Sequence, residues 1–320
     1  MKAAVLPFDR TWPNSFGRSR TLLRFCSPSG NQSPLIAVWR KCYVVANTQQ
    51  DKAKSLRQLH GNGVLVLPNA WDAASAAAIA AAGAKAIATT SGGVAWSLGR
   101  PDGQILTRGE MVEQVRRIAG AVDVPVTADV EGGYGHAPGD VATTIEAVVA
   151  AGAVGVNIED SHAPGGPLFT AQEQAERLRA ARTAAERAGL ADLVINVRTD
   201  VFLFGIGEAH GRLDDVVARA SAYAEAGADS LFVPGLVDLD VLTSLVASTP
   251  LPVNVMAGPG APTVAEFEAA GVRRVSLGTA VAQSAYALAE RAAVEVLSKG
   301  TYGELDQALD FGTLNGYFSS

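Results

Sequence analysis

Ala150-Ala-Gly-Ala-Val-Gly-Val-Asn-Ile-Glu-Asp160 carries the signature on which the fold turns. An alanine-rich stretch stops at Gly152, the residue type that takes the left-handed conformation closing a helix. A strand reading, Gly155–Glu159, begins at once and ends in the polar residues Asn157, Glu159 and Asp160. Working outward, the same punctuation stands in Ala80-Ala-Ala-Gly-Ala84, Glu225-Ala-Gly-Ala228 and Ala269-Ala-Gly-Val272. Short β-branched runs predict strands over 64–67, 86–89, 126–129, 155–159, 193–198, 230–233, 252–256 and 274–277. Amphipathic, alanine-rich stretches of helical length fill 73–82, 108–121, 140–151, 171–188, 213–226, 238–248, 263–270 and 279–299. Eight β/α units in roughly 235 residues match the size of a TIM barrel. The strands do not alternate in polarity, which indicates burial on both faces and a parallel sheet. The α/β fold expected is a (β/α)8 TIM barrel with additional C-terminal helices. A doubly wound open sheet gives a similar rhythm and is the competing architecture.

The chain has 320 residues and a formal charge of −6, which argues against a general nucleic-acid binder. Its most apolar stretch, 73–90, is mainly alanine interrupted by Lys85, a poor membrane span. A soluble, cytoplasmic protein is expected. The first 50 residues hold seven basic residues and one acid, a net +6, which leaves −12 for residues 51–320. Residues 1–50 read as a poorly ordered basic extension. Their arginine-rich, acid-poor composition resembles a transit peptide, although Pro, Trp and Gly interrupt it. Residues 51–320 read as one barrel domain with a C-terminal helical segment. Both cysteines, Cys26 and Cys42, lie in the extension, so thiol nucleophiles and cysteine metal sites are excluded from the barrel.

In a TIM barrel, chemistry gathers at the C-terminal ends of the strands. Here those ends read Asn69 and Asp72, Thr89-Thr-Ser-Gly-Gly93, Asp129 and Glu131, Asn157, Glu159 and Asp160, Arg198 and Asp200, Asn254, and Ser276. One such end could be a helix cap; seven of eight point to a site. Asp129 and Glu131 are two apart on an extended segment, and Glu159 ends the neighbouring strand. Converging carboxylates repel unless a cation sits among them. Oxygen ligands without His or Cys select Mg2+ or Mn2+ over zinc. Solvated loop carboxylates are the plainer alternative. Arg198 at the same mouth suits capture of a substrate carboxylate, and an internal salt bridge to Asp200 or Glu159 can coexist with that role. Ser91-Gly92-Gly93 offers a hydroxyl and freely oriented backbone N–H groups for an anion.

These motifs, together with Gly99-Arg-Pro-Asp-Gly103, Thr127-Ala-Asp-Val-Glu-Gly-Gly-Tyr-Gly135, Asn196-Val-Arg-Thr-Asp200 and Pro252-Val-Asn-Val-Met-Ala257, stand in an order that resembles the isocitrate lyase/phosphoenolpyruvate mutase superfamily. The resemblance runs over about residues 51–310 and is nearest to its phosphoenolpyruvate mutase-like branch. It implies Mg2+ at the barrel mouth and chemistry at a C–C or P–C bond beside a 2-oxo acid or its enolate. It implies that Ser91, Gly92 and Gly93 hold the substrate carboxylate, that Asp129 is the principal metal ligand, and that Asp102, Glu131 and Glu159 support it, mostly through water. Arg198 and Asn254 would contact the substrate, and Arg198 and Glu159 would act in catalysis. Asp129-Val-Glu131 replaces the Asp-x-Asp of many relatives.

The loop after the fourth strand departs further. The isocitrate and methylisocitrate lyases place Lys-[Lys/Arg]-Cys-Gly-His there, and the mutases Lys and Asn. This chain has Ser161-His-Ala-Pro-Gly-Gly-Pro-Leu168, with the look of a hinged lid. His162 is the titratable candidate for proton transfer, with His136 and Tyr134 as rivals and an exposed loop histidine as the bland reading. The expected activity is a Mg2+-dependent lyase acting on a small 2-oxo or 2-hydroxy dicarboxylic acid, of the methylisocitrate or oxaloacetate kind, through an enolate. The alternatives are a P–C mutase or hydrolase acting on phosphonopyruvate or phosphoenolpyruvate, and a catalytically silent barrel that binds a carboxylate metabolite. Apolar and aromatic residues over 279–320 are too many for a solvated tail, and the resemblance implies subunit contacts through the C-terminal helices, so a homotetramer is expected.

Overall fold

The computed structural model describes residues 48–319. The expectations for the basic extension and its two cysteines fall outside the described residues, apart from positions 48–50. Nine parallel strands form one sheet: β1 (Leu65–Leu67), β2 (Asn69–Ala70), β3 (Ile87–Thr89), β4 (Val126–Asp129), β5 (Gly155–Glu159), β6 (Val194–Arg198), β7 (Ser230–Phe232), β8 (Val253–Met256) and β9 (Arg274–Ser276). Their order, β1-β9-β8-β7-β6-β5-β4-β3-β2, begins and ends with consecutive segments. β1 pairs with β9 and β2 with β3, so the two are halves of one barrel strand split at Pro68. Proline has no N–H for a ladder, so the strand breaks there while the eight-stranded circle still closes.

Helices alternate with the strands: α1 (Gln49–Leu59), α2 (Ala73–Ala81), α3 (Ser91–Ser97), α4 (Arg108–Ala121), α5 (Pro138–Ala150), α6 (Ala171–Arg187), α7 (Arg212–Glu225), α8 (Leu239–Ser248), α9 (Val264–Ala269), α10 (Ala280–Lys299) and α11 (Phe311–Gly316). The punctuating glycines behave as their sequence context requires: Gly83, Gly152, Gly227 and Gly271 stand at φ +100, +102, +93 and +87. Capping boxes at Thr107, Thr170 and Thr263 set the starts of α4, α6 and α9.

Two helices escape the sequence reading. α3 occupies the Ser91-Gly-Gly segment, whose glycines mask its helical character. α1 lies across the N-terminal end of the barrel, where Gln49 Nε2 donates to the carbonyls of Val149 and Ala153 and Arg57 pairs with Asp229 at 2.6 Å. Leu56 and Ala53 are fully buried there and seal that end.

Every residue of β5 is buried, and the core runs through Val156, Ile158, Ile195 and Val197 to Ile145, Val148 and Leu178 on the surrounding helices. The barrel interior is partly polar. Asn196 Nδ2 donates to Asn157 Oδ1 at 2.8 Å, Ser230 Oγ to Asn196 Oδ1 at 2.6 Å, and Arg274 Nη2 reaches Asn157 Oδ1 at 3.3 Å. Asn254 belongs to this interior, fully buried, with Oδ1 accepting from Ser276 Oγ at 3.2 Å.

Candidate active site

The β5–β6 register places Glu159 directly beside Arg198. Arg198 Nη1 donates to Glu159 Oε1 at 2.5 Å and Nε to Asp200 Oδ1 at 2.6 Å, so the guanidinium is gripped from both sides. Asp200 Oδ2 in turn accepts Ser161 Oγ at 2.5 Å, which commits that hydroxyl. Behind them, buried Asp160 accepts the Asp200 N–H at 3.1 Å, Tyr223 Oη at 2.8 Å and Arg219 Nη1 at 3.2 Å. Burial still raises the Asp160 pKa, against the pull of Arg219.

Asp129 ends β4. Its N–H donates to Thr89 Oγ1 at 2.8 Å, and its carboxylate accepts the N–H groups of Ser91 and Glu131, each at 3.2 Å. Glu131 accepts Tyr134 Oη at 3.0 Å and the Gln104 N–H. Asp102 is exposed and reaches over α3: a Cβ built on Gly92 would stand 3.0 Å from its Oδ2. The glycines of α3 are therefore required by packing, since a Cβ on Gly93 would stand 2.8 Å from both Trp71 Cβ and Thr90 Cγ2. The sequence suggested freely oriented backbone instead; the helix fixes it.

Burial raises the Asp129 pKa, opposed chiefly by Arg198 and the Ser91 N–H. Burial, then the charges of Asp129 and Asp102, pushes Glu131 up to about 7. Glu159 is driven well above the usual carboxylate range by burial, despite Arg198. Burial alone would lower the pKa of Arg198; the carboxylates of Glu159, Asp200 and Asp129 outweigh it and hold the guanidinium above its ordinary value. Gln104, Glu131 and Tyr134 adopt φ of +60, +49 and +58, the three non-glycine residues in this region among the described residues. Each conformation costs about 1–2 kcal/mol, and they are joined through the Glu131 carboxylate.

This donor set suits a hard divalent cation by its chemistry: it is all oxygen, with Glu131 and Glu159 buried, and under-compensated in charge. Among the described residues no three acidic, histidine or cysteine side chains converge tightly enough to hold a metal directly. Ligation partly through water, as Mg2+ favours, is the form that fits.

The segment after β5, which the sequence suggested as a lid, is a short hairpin. Ser161 bridges Leu168, the His162 N–H donates to the Pro167 carbonyl at 3.0 Å, and the Phe169 N–H donates to the Asp160 carbonyl at 2.8 Å. The His162 ring stacks on Phe169 at 3.8 Å and meets His136 edge-on at 4.9 Å. Arg177, 1% exposed, lies 4.1 Å from the Phe169 ring centre and donates to the carbonyls of Gly132, Gly135 and His136, fixing the loop that carries Tyr134. Thus Asp129, Glu131, Glu159 and Arg198 come together, with Asp102 and Ser91 at their edge. His162 lies to one side, and Asn254 sits in the barrel interior. Sequence reasoning missed Arg177, Arg219 and Gln104; both arginines sit in helices that also carry solvent-facing charges, and nothing local in the sequence separates them.

Parallel β/α closure with a carboxylate-rich mouth defines a TIM-barrel protein with its polar site at the C-terminal ends of the strands. The phosphoenolpyruvate phosphomutase family model matches residues 56–297. The chain belongs to this family, within the isocitrate lyase/phosphoenolpyruvate mutase superfamily of lyases and mutases. It is 37% identical over 247 residues to an uncharacterized protein of Mycobacterium tuberculosis, covering 77% of this chain and 90% of that one. It is 35% identical over 204 residues to an oxaloacetate decarboxylase of Rhodopseudomonas palustris, covering 62% and 67% of the two chains. The solved structure of an oxaloacetate acetylhydrolase in complex with the product oxalate superposes with a TM-score of 0.74 at 27% identity, covering 83% of this chain and 93% of that one.

Proposed function

We propose that this protein is a lyase that cleaves a C–C bond in a small 2-oxo or 2-hydroxy dicarboxylic acid through an enolate, with Mg2+ or Mn2+ as its cofactor. The observation that carries the reading is the guanidinium of Arg198, held between Glu159 and Asp200 beside the carboxyls of half-buried Asp129 and buried Glu131. Asp129, with Asp102, Glu131 and Glu159, would hold the cation. When bound, it supplies Lewis-acid stabilisation of an enolate oxygen.

Arg198 remains fully charged at neutral pH and binds a substrate oxygen with the donors that Glu159 and Asp200 leave over. Ser91, Gly92 and Gly93 receive the substrate carboxylate at the first turn of α3, and Asn254 lies deeper in the barrel as a further polar contact. The lid residue His162 carries the proton that the departing carbon takes up, with His136 and Tyr134 as the alternates. Such a role predicts a rate loss of roughly 10²–10⁴-fold in His162→Ala. If both His162→Ala and His136→Ala leave turnover unchanged on a confirmed substrate, the proton comes from Tyr134 or water.

Purified protein with Mg2+ assayed against oxaloacetate, methylisocitrate, citramalate-type acids and phosphonopyruvate tests the reading. Release of a 2-oxo acid fragment that stops with EDTA is expected. Turnover that survives EDTA contradicts the metal part. Turnover of phosphonopyruvate alone transfers the protein to P–C chemistry, and binding without any turnover identifies a silent barrel.

A further inference from the structure

We propose that the cavity beside the mouth is a second subsite, built for an oxyanion and distinct from the carboxylate cluster. It encloses about 520 Å³, and its polar lining comes from Gln104, Thr107, Arg108, Tyr134, His136 and His162. That volume is of the size that holds a small-molecule ligand. In a body whose net charge is −12, no carboxylate lines it among the described residues. Of the acids near these segments, Asp102 and Glu131 belong to the mouth, where Glu131 accepts Tyr134 Oη at 3.0 Å and the Gln104 N–H; Glu110 accepts the Thr107 N–H and hydroxyl at 2.8 Å, Asp140 the Ala137 N–H at 3.1 Å, and Glu173 the Thr170 N–H and hydroxyl at 2.8 Å, each of these three capping a helix.

The donors, by contrast, are organised. Arg108 Nε is tied to Thr144 Oγ1 at 2.7 Å and Nη2 to the carbonyls of Tyr134 and Asp140 at 3.1 and 3.3 Å, which fixes the plane of the guanidinium. Its Nη1 has no partner among the described residues. His136 and His162 approach from two different loops, with ring centres 4.9 Å apart and planes 82° apart. A fixed guanidinium edge with two imidazoles fits a carboxylate or a phosphoryl group.

Two further features mark this wall as functional. Gln104 and Tyr134 are two of the three left-handed non-glycine residues, and both bond Glu131, so the strained backbone is shared by the cavity and the mouth. The lid also closes on it: a Cβ on Gly103 would stand 2.9 Å from Pro164 Cγ, so the lid tip rests on the cavity rim. The occupying group is either the distal acid of a substrate seated at the mouth or a free anion. The first case deepens the proposed lyase reading; the subsite itself does not depend on it.

Calorimetric titration of the EDTA-treated full-length protein with inorganic phosphate tests the proposal without any turnover. Saturable binding is expected, weakened at least tenfold in His136→Gln and further in the His136→Gln/His162→Gln pair, and changed less than twofold in Arg198→Lys. His136 is exposed, so its replacement leaves the fold intact, and an unchanged melting temperature checks this. Malonate that displaces phosphate identifies the pocket with the distal acid of a substrate; simultaneous binding identifies a free-anion site. Absent saturation, wild-type affinity in the histidine variants, or a loss confined to Arg198→Lys overturns the proposal.

Discussion

Arg198 and Asp129 share the same mouth, and substitution at the two should change stability by very different amounts. Arg198 bonds two buried carboxylates, Glu159 and Asp200, whose side chains are 9% and 0% exposed. Arg198→Met strands both, and removing one partner of a buried pair costs about 3–5 kcal/mol; urea unfolding should show a fall of that size along with lost activity. Arg198→Lys keeps the charge but not the geometry, because an ammonium cannot hold both carboxylates in one plane. Asp129→Ala removes a carboxyl whose ionised form burial already disfavours. Its turnover should fall by on the order of a thousandfold, while urea unfolding stays within about 1 kcal/mol of wild type, since the lost N–H contacts and the relieved repulsion offset each other. An Asp129→Ala enzyme with near-normal turnover sinks the metal assignment.

At the scale of elements, α3 and α1 carry consequences of their own. Gly93 packs against Trp71 and Thr90 so closely that a methyl group must displace one of them. Gly93→Ala should therefore destabilise the protein by roughly 1–3 kcal/mol in chemical denaturation, despite the better helix propensity of alanine. At the end of α1, His60 is 8% exposed, and its Nδ1 lies 2.8 Å from the Leu56 carbonyl. Burial first, then the charge of Arg274, lowers its pKa to about 4. The unfolded chain thus binds this proton more readily, so stability is complete above pH 6.5 and falls as the pH drops towards 4. The full loss is roughly 3 kcal/mol. Melting curves between pH 7 and 4 should flatten in His60→Leu; an unchanged slope removes His60 from the acid response.

The whole molecule presents an unfinished surface. α10 is a 20-residue helix, yet only Ala282 and Ala292 on it are buried. Leu297 is 86% exposed, and beyond the helix Phe311 is 83% exposed, with Tyr302, Leu305, Leu309 and Phe318 open as well. Apolar area of this extent marks an association surface, and we propose a closed homo-oligomer, a tetramer, built on this arm. Light scattering should give a multiple of the 33.0 kDa chain mass, and Leu297→Glu/Phe311→Glu should shift it towards the monomer. A wild-type monomer defeats the proposal. Among the described residues no helix is long and apolar enough to cross a membrane.

How much was legible from residues alone follows the range of the interactions involved. Strand periodicity, helix-closing glycines and threonine caps act within a few residues, so the eight β/α units and most of their boundaries could be read from local sequence. Polar residues at strand ends were legible for the same reason: β/α order puts Asp129, Glu159 and Arg198 at one mouth before any coordinates are known. Pairings between distant segments were not. That the first strand splits at Pro68, that α1 plugs the barrel end, and that Arg177 is a buried clamp and Arg219 a half-buried one depends on contacts between segments far apart in sequence. Gln49 with Ala153 and Arg219 with Asp160 are such contacts. His162 shows the boundary most clearly. The sequence by itself put an imidazole on the lid, but its place on Phe169, beside His136 and away from the carboxylates, was decided by packing in three dimensions.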